Sequence, residues 1–415
     1  MKKCITMLSL GLGTISSFSV HANTNYKDGL QFGSQDDPYW FKVNGALMLD
    51  ERLFFGKKQG NLHSGAYIKK FDVDLSGGLG KDLSFTTGVG FKAHHSKVEV
   101  NDAYITYSGF KWLGENFNVS VGKVNPSFCL ESTSSSKWTP FLERSIATTA
   151  FSPDPGLGIS VSKWQKDYSI SVTLTQPKPT DKTNDENGKE VKHSDRLQLN
   201  TRLTKAHFFG DHKFLQLGFS GHIKDDGHNG IKFSTGPEAN SRHSTDTLLN
   251  TTVNNKNIKA KNHYTIGLEL LGQDGPLSGQ AEGLLTKVKR DKSQLSYNNP
   301  NQPGQNLTFK GYYANINYVL TGESRIFKEC LGILGQVIPN KESGAWEVSG
   351  RYSFLNLNDK DVVGGTDHSI GAAVTWYANK NIAVTGEYLK HHLKRNGTLA
   401  KLNFDSVGAR LQFVF

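Results

Sequence analysis

Cysteine is almost absent. The 415 residues hold three, and Cys4, Cys129 and Cys330 stand at no metal or redox spacing, so neither a disulfide framework nor a cysteine-ligated metal is expected. Long apolar runs are missing too. Beyond the first two dozen positions nothing approaches the roughly 18 apolar residues that a membrane-spanning helix needs, so any crossing of a bilayer must be made by strands. Hydrophobic residues make up only 36%, which is lean for a thick globular core. Catalytic signatures are lacking: there is no H-E-x-x-H, no G-x-S-x-G, no P-loop lysine and no C-x-x-C pair. The neighbours His94-His95 and His391-His392 would point to opposite faces of a strand, so neither pair presents two rings to one metal. No enzyme, cofactor or resident metal is expected.

What is present is an export leader followed by alternation. Lys2 and Lys3, the apolar and small residues from Ile5 to Val20, and Val20-His21-Ala22 follow the secretory order, with cleavage after Ala22. Residues 1–22 are therefore read as a signal peptide, 23–39 as an irregular periplasmic extension and 40–415 as the structural domain. Removing two lysines with the leader takes 48 basic residues to 46 against 38 acidic, so the net charge falls from +10 to +8. The sign alone does not separate lipid phosphates, anionic solutes and nucleic acid; for an exported β protein the first two are the expected partners and nucleic acid is not.

Period-two patterning runs from Phe41 to the end. Phe41, Val43, Gly45, Leu47 and Leu49 oppose Lys42, Asn44, Ala46, Met48 and Asp50; the terminal GARLQFVF sets Ala409, Leu411, Phe413 and Phe415 against Gly408, Arg410, Gln412 and Val414. About sixteen such segments can be counted, centred near 48, 71, 88, 103, 121, 160, 172, 200, 218, 267, 283, 314, 351, 372, 388 and 410. Tight turn candidates at 78–82, 163–167, 272–276 and 377–381 alternate with long polar loops at 126–155, 176–194, 225–261 and 291–306. The connector near His94 is short and that from Thr321 to Gly344 is long, against the alternation. The reading is an all-β chain, a transmembrane antiparallel β-barrel with one face in lipid and the other in water. Trp40, Trp376, Tyr377 and Phe415 are placed as interfacial aromatics, and the last strand closes the sheet so that no edge is left. Parity puts Lys42, Arg52, Lys70, Arg196, Arg202, Arg351 and Arg410 on the wet face, together with Asp50, Asp72, Asp102, Glu269, Glu347 and Glu387.

The loop of about 126–155, NPSFCLESTSSSKWTPFLERSIATTAFSPDPG, is longer than a passive surface tip requires; a loop of this kind can fold inward, the alternative being a solvated surface loop. Hydroxyls at Ser132, Thr133, Ser134, Ser135 and Ser136 beside Lys137 can replace part of an anion's hydration shell, and Arg144 supplies a planar fork.

This loop, together with FKGYYANINYVLTGESRIFK and GAWEVSGRYSFLNLND, resembles the phosphate-selective porin O and P family of Gram-negative outer membranes, through nearly the whole mature chain. The resemblance implies a sixteen-stranded barrel, usually a homotrimer, in the outer membrane, with the third loop folded into the lumen and a preference for anions such as phosphate. It carries Ser135, Ser136 and Arg144 onto the loop pattern and Lys289 onto a constriction lysine of the wall, although simple alternation puts Lys289 outside. The chain also departs from the family. Ser132 and Thr308 stand where the family pattern has lysines, the arginine ladder is missing, and the loop 225–261 sets five lysines and arginines against four acids. Neighbouring carboxylates cancel the field that would strip water from phosphate. The expectation is a passive diffusion porin with mild anion preference. Its constriction or anion site comprises Thr133, Ser134, Ser135, Ser136, Lys137, Arg144 and Lys289, and its pore-lining basic residues are Lys70, Arg196, Arg202, Arg351 and Arg410. The competing readings are a barrel whose loops 176–194 and 225–261 act as adhesin or receptor sites, and a secreted soluble β enzyme or lectin.

Overall fold

The computed structural model describes residues 24–26, 29–33, 37–56, 62–92, 97–177, 183–184, 190–191, 196–226, 230–239, 248–253, 257–291, 293, 295–297, 304–395 and 401–415. The leader, the pair His94-His95 and most of the loop 176–194 lie outside the described residues.

Sixteen strands follow one another around a closed antiparallel sheet. They are β1 Tyr39–Gly56, β2 Gly65–Leu79, β3 Leu83–Lys92, β4 Lys97–Trp112, β5 Glu115–Val124, β6 Gly156–Gln165, β7 Tyr168–Pro177 and β8 Gln198–Gly210, then β9 Lys213–Asp225, β10 Ala260–Asp274, β11 Leu277–Arg290, β12 Leu307–Val319, β13 Ala345–Asp359, β14 Val362–Tyr377, β15 Ile382–Lys394 and β16 Leu402–Val414. β16 pairs with β1 from Val414↔Ala46 to Phe404↔Gly56, which closes the barrel. Below that point Phe415 exchanges both backbone hydrogen bonds with Gly45, and residues 30–32 take over the same edge by pairing with 41–43. The N-terminal segment is thus not wholly irregular: its short strands Thr24–Tyr26 and Leu30–Phe32 also pair with each other. At the β4–β5 turn Leu113 (φ 50°) and Gly114 (φ 80°) both take the left-handed conformation, the two-residue hairpin geometry that follows the twist of the strands.

Burial follows the alternation, inside out relative to a soluble protein. Outward Leu217, Leu268 and Ile316 are 63%, 68% and 60% exposed, whereas inward Arg52, Asn200 and Glu347 are fully buried. The apolar row is turned to lipid and the polar row to the interior. Trp346 and Trp376 stack on the outer wall. Tyr377 does not join this aromatic belt; its hydroxyl donates to inward Glu347 at 2.8 Å.

Three connections fill much of the lumen. The third loop enters from the side of the long loops and carries two short helices, α1 Leu130–Thr133 and α2 Ile146–Phe151. The described part of the loop 225–261 packs on it: Phe233, Leu248 and Leu249 join Phe128, Ile146 and Phe151 and the wall residues Leu284, Phe309 and Phe404 in one cluster. From the opposite end the connection between β12 and β13 turns in as a small hairpin, Phe327–Lys328 with Ile333–Leu334. Its Ile333 and Leu334 meet Leu130 of the third loop and Ala206, Phe214 and Leu271 of the wall. The length of this turn therefore reflects an inserted plug that is apolar on one side.

The plug gives a direct check on the packing. Cys330 at its tip is exposed and Cys129 is buried, and burial pushes the Cys129 thiol well above its ordinary pKa, so it holds little reactive thiolate. A charged methanethiosulfonate reagent is expected to label Cys330 and spare Cys129, with Cys330→Ser losing all labelling. Labelling that survives this substitution would show the third loop to be open.

Candidate functional site: a loop-lined constriction and a turn-side chamber

The third loop is held in place by charged side chains of the wall and of the two other inturned connections, which bond its backbone. Carboxylates accept from its N–H groups: Glu282 from Leu130 (3.0 Å), Glu387 from Leu142 (2.7 Å) and Glu238 from Ile146 (2.6 Å). Guanidinium groups donate to its carbonyls: Arg410 to Leu142, Arg351 to Glu143 and Arg325 to Trp138, each at 2.8 Å. A loop buried in a barrel must have its backbone polar groups satisfied by something other than a ladder, and here the wall, with Glu238 and Arg325 of the neighbouring connections, supplies that.

This bonding uses most of the interior arginines. Arg202 is bidentate on Glu269, with contacts of 3.0 and 2.8 Å, and also donates to the plug carbonyls of Leu331 and Gly332. Arg351 donates to Glu131 at 2.7 Å and lies 4.3 Å from the ring centroid of Phe141. Arg410 is paired with Asp50 at 2.7 Å, Arg52 with Glu387 at 2.6 Å and Arg325 with Glu347 at 2.6 Å. Arg202, Arg351 and Arg410 do face the interior, as parity places them, yet all three are buried. They are packing and neutralised groups, not a free cationic lining: Arg202 and Arg410 meet carboxylates of the same wet face, Glu269 and Asp50, and Arg351 meets Glu131 of the third loop. Arg196 precedes β8, half-buried, and its Nε has no partner among the described residues.

Between the third loop and the wall of β1 to β4 several inward polar residues, among them Lys42, Asn44, Lys70, Asp74 and Asp102, stay half-exposed, and the open part of the lumen is placed there. A bulge between Met48 and Leu49 makes Lys69 the extra residue of β2, beside Lys70, a device that re-aims side chains. Lys69 bonds Glu143 of the loop, Lys70 pairs with Asp72 at 2.7 Å and Lys137 of the loop stands 3.8 Å from Asp74. Each of these three lysines meets a carboxylate, and Asp102 adds a further acid beside them.

The other loop residues divide. Arg144 donates to the carbonyls of Ser132 and Ser134 at 3.1 and 3.0 Å, capping the C-terminal end of α1, where carbonyls lack helical partners. Thr133 and Ser134 give their hydroxyls to Phe128 and Leu130 carbonyls, and Ser135 Oγ accepts from the Lys137 N–H at 3.3 Å. Thr133, Ser134 and Arg144 are thus committed to the loop's own fold, while Ser135, Ser136 and Lys137 form its half-buried face towards the channel.

Lys289 corrects the assignment taken from resemblance. On β11 the inward row is Glu282, Leu284, Thr286, Val288 and Arg290; Lys289 is exposed on the outward row with Lys287. The register shift at this end falls on β10, between Ala260 and Asn262, so β11 keeps its alternation and Lys289 cannot enter the constriction. The inward cation is Arg290, already bonded to Asp361 at 2.7 Å.

Below the constriction, towards the turns, a cavity of about 300 Å³ is lined by Lys42, Asn44, Ser135, Lys137, Trp138, Lys328, Gln336, Lys380, Asn381, Val414 and Phe415. Four lysine side chains and no acidic side chain line it. Lys42 was legible by parity. Lys328 and Lys380 were not singled out from sequence, one lying on the plug and the other in a short turn. The apolar Ile326, Phe327, Ile333 and Leu334 were the available signal, because a solvated turn has no use for them.

Burial lowers the Lys137 ammonium pKa below the ordinary lysine value, and Asp74 opposes the shift. Lys137 is therefore expected to lose its charge at a lower pH than an exposed lysine, so any anion preference weakens early on alkaline titration of the reversal potential. Lys137→Arg removes that pH dependence. An unchanged titration in the variant would exclude Lys137 as its source.

A family model described as phosphate-selective porin O and P matches residues 41–415. Porin O of Pseudomonas aeruginosa is 28% identical over 443 aligned residues, covering 97% of this chain and 94% of that protein; an uncharacterized protein of Caulobacter vibrioides is 27% identical, covering 86% and 69%. Among solved structures, the trimer form of the Vibrio cholerae outer membrane protein OmpT superposes with a TM-score of 0.53 at 9% identity, over 91% of this chain and 100% of that one. The outer membrane channel DcaP of Acinetobacter baumannii does so with 0.52 at 13% identity, over 92% and 99%. At such identities the likeness shows the barrel fold alone.

Proposed function

Because the chain belongs to the phosphate-selective porin O and P family of outer-membrane channels, which are not enzymes, we propose that it passes small solutes by passive diffusion with a mild preference for anions. The observation that carries this reading is the distribution of charge along the open path. Lysines meet carboxylates at the constriction, and four lysines, one of them the Lys137 that faces Asp74, line the chamber beyond it with no acidic side chain among its lining residues. A matched ring sets a weak field, and the lysine chamber raises the local concentration of anions without fixing them. Phosphate is taken as one such anion and not as a dedicated ligand, since the arginines that would dehydrate it are already paired.

The described part of the loop 225–261 supports a channel over an adhesin, because Phe233, Glu238 and Leu249 are buried against the third loop instead of being offered outward. We further propose that the leader is cleaved after Ala22, so that the mature chain begins at Asn23, and that three copies assemble. The exposed apolar row of Val98, Val100, Ile105, Val121, Leu157 and Ile159 gives copies a surface to share. The functional test is planar-bilayer recording of the purified protein. Stepwise conductance with shallow phosphate block is expected; a silent bilayer would overturn the channel reading.

A further inference from the structure

Three outward lysines on β11 and β12 take no part in the channel, and their depth on the wall suggests what they meet. From Leu277 the outward row of β11 runs through Gly279, Ala281, Gly283 and Leu285 to Lys287 and Lys289. Ten residues at about 3.3 Å each, tilted by about 40°, cover about 25 Å, the height of the apolar band of an outer-membrane barrel. Lys287 and Lys289 therefore emerge at the headgroup level on the side of the long loops. Lys310 joins them from β12. Lys287 pairs with Thr308 and Leu285 with Lys310, which makes Lys310 the diagonal neighbour of Lys287, about 7–8 Å away.

Just beneath lies an aromatic group: Tyr312 against Phe354 (5.0 Å between centroids), Phe354 against His368 (4.6 Å), and the Tyr352 hydroxyl 2.9 Å from His368 Nδ1. Such side chains mark the boundary between lipid tails and headgroups.

All three lysines are exposed and none forms an ion pair among the described residues. Outward Lys390, by contrast, faces Asp405 across its ladder. Three described acids stand near the patch without an ion pair to it: Asp291, two positions beyond Lys289 just past the end of β11; Asp359, whose carboxylate accepts from the Thr308 N–H at 2.7 Å; and outward Asp225, which pairs with Asn262 and so stands two strands from β11. On β1, β4 and β6 the outward row stays apolar towards its loop-side end, with Phe55, Val98 and Leu157 exposed by 49%, 60% and 67%, whereas β15 carries outward Lys390 and Lys394. We propose that Lys287, Lys289 and Lys310 form a docking site on the outer wall for a phosphorylated glycolipid headgroup of the outer leaflet. Unmatched lysines at interface depth gain from an anionic lipid layer, and three ammonium groups at this spacing can share the oxygens of a lipid phosphate.

The inference rests on the outer-membrane placement with long loops outward, not on the anion preference. The test uses the full purified protein in detergent, with lipopolysaccharide of bisphosphorylated lipid A, the same lipid after dephosphorylation, and inorganic phosphate as a competitor. The native protein is expected to retain the bisphosphorylated lipid through purification and to show a gel shift that dephosphorylated lipid does not give. Lys287→Gln with Lys289→Gln and Lys310→Gln should weaken retention at least tenfold and leave single-channel conductance unchanged, because all three lie outside the pore. The triple arginine variant should retain the lipid, which separates loss of charge from loss of fold. Equal retention by the glutamine variant, or equal binding of dephosphorylated lipid, overturns the site. Displacement by millimolar inorganic phosphate would show a free-anion site instead of a lipid site. Loss of oligomer with unchanged lipid retention would show a protomer interface. Absence of conductance with normal retention would count against the channel and not against this site.

Discussion

Replacing Arg351 by alanine is expected to free the third loop and turn a steady channel into a wider, noisy one. Arg351 is buried between three groups of the loops: it donates to Glu131 at 2.7 Å and to the carbonyl of Glu143 at 2.8 Å, and it stands 3.8 Å from Glu238. Alanine leaves Glu131 and Glu238 in the packed interior without that cation. Breaking a buried pair from one side costs about 3–5 kcal/mol, a large fraction of what can hold one loop in place. Ring closure of the barrel does not depend on Arg351, since the β13 ladders to β12 and β14 are backbone bonds. The cost therefore falls on the loop. Conductance should rise and fluctuate while heat-modifiable gel migration persists. The double change Arg351→Met with Glu131→Gln removes both charges and should restore much of the steadiness. A quiet, unaltered single-residue variant would mean that the loop is held by its apolar contacts alone.

The second large effect concerns sign. Lys137→Glu is expected to reverse the selectivity from anions to cations. Lys137 faces Asp74 at the constriction and is also one of the four chamber lysines, so one substitution changes two charges at the narrowest place and leaves Asp74 beside a second carboxylate. Two unit charges about 4 Å apart interact by roughly 1 kcal/mol even in water, and 1.4 kcal/mol is about tenfold in an equilibrium ratio. The permeability ratio should therefore move by roughly tenfold or more. Lys289→Glu is the control: on the outward wall it should leave the reversal potential where it was. A response at Lys289 with none at Lys137 would restore the wall assignment that resemblance suggested.

The barrel was legible because it is written in local pattern. Alternation, tight-turn chemistry and an even strand count require only neighbours a few positions apart, and the sixteen segment centres fall on the sixteen strands. Pairing of charge was not legible in the same way. Arg351 and Glu131 are separated by 220 positions and Arg410 and Asp50 by 360. Parity put Arg410 and Asp50 on one face without showing that they touch, and it could not place Glu131 of the loop against Arg351 at all, so arginines expected to line the pore proved to be fixtures of its interior. Arg144 misled for a related reason: its fork suits a carbonyl pair at a helix end as well as an anion. At Lys289 the simple alternation indicated the outer face, and the structure agrees with it, because β11 carries no bulge of its own. The plug between β12 and β13 was visible only as an anomaly of length, and its apolar residues acquire meaning once the hollow that receives them exists.

The central claim is that charge along the open path is nearly balanced, with a lysine chamber tipping it towards anions. The most direct measurement is the reversal potential of the native protein in a planar bilayer under a potassium chloride gradient. The expected result is a potential of the anion-preferring sign, corresponding to a permeability ratio of a few-fold and reduced by Lys328→Gln with Lys380→Gln. A cation-preferring potential, or near-ideal anion selectivity unaffected by those substitutions, would contradict it.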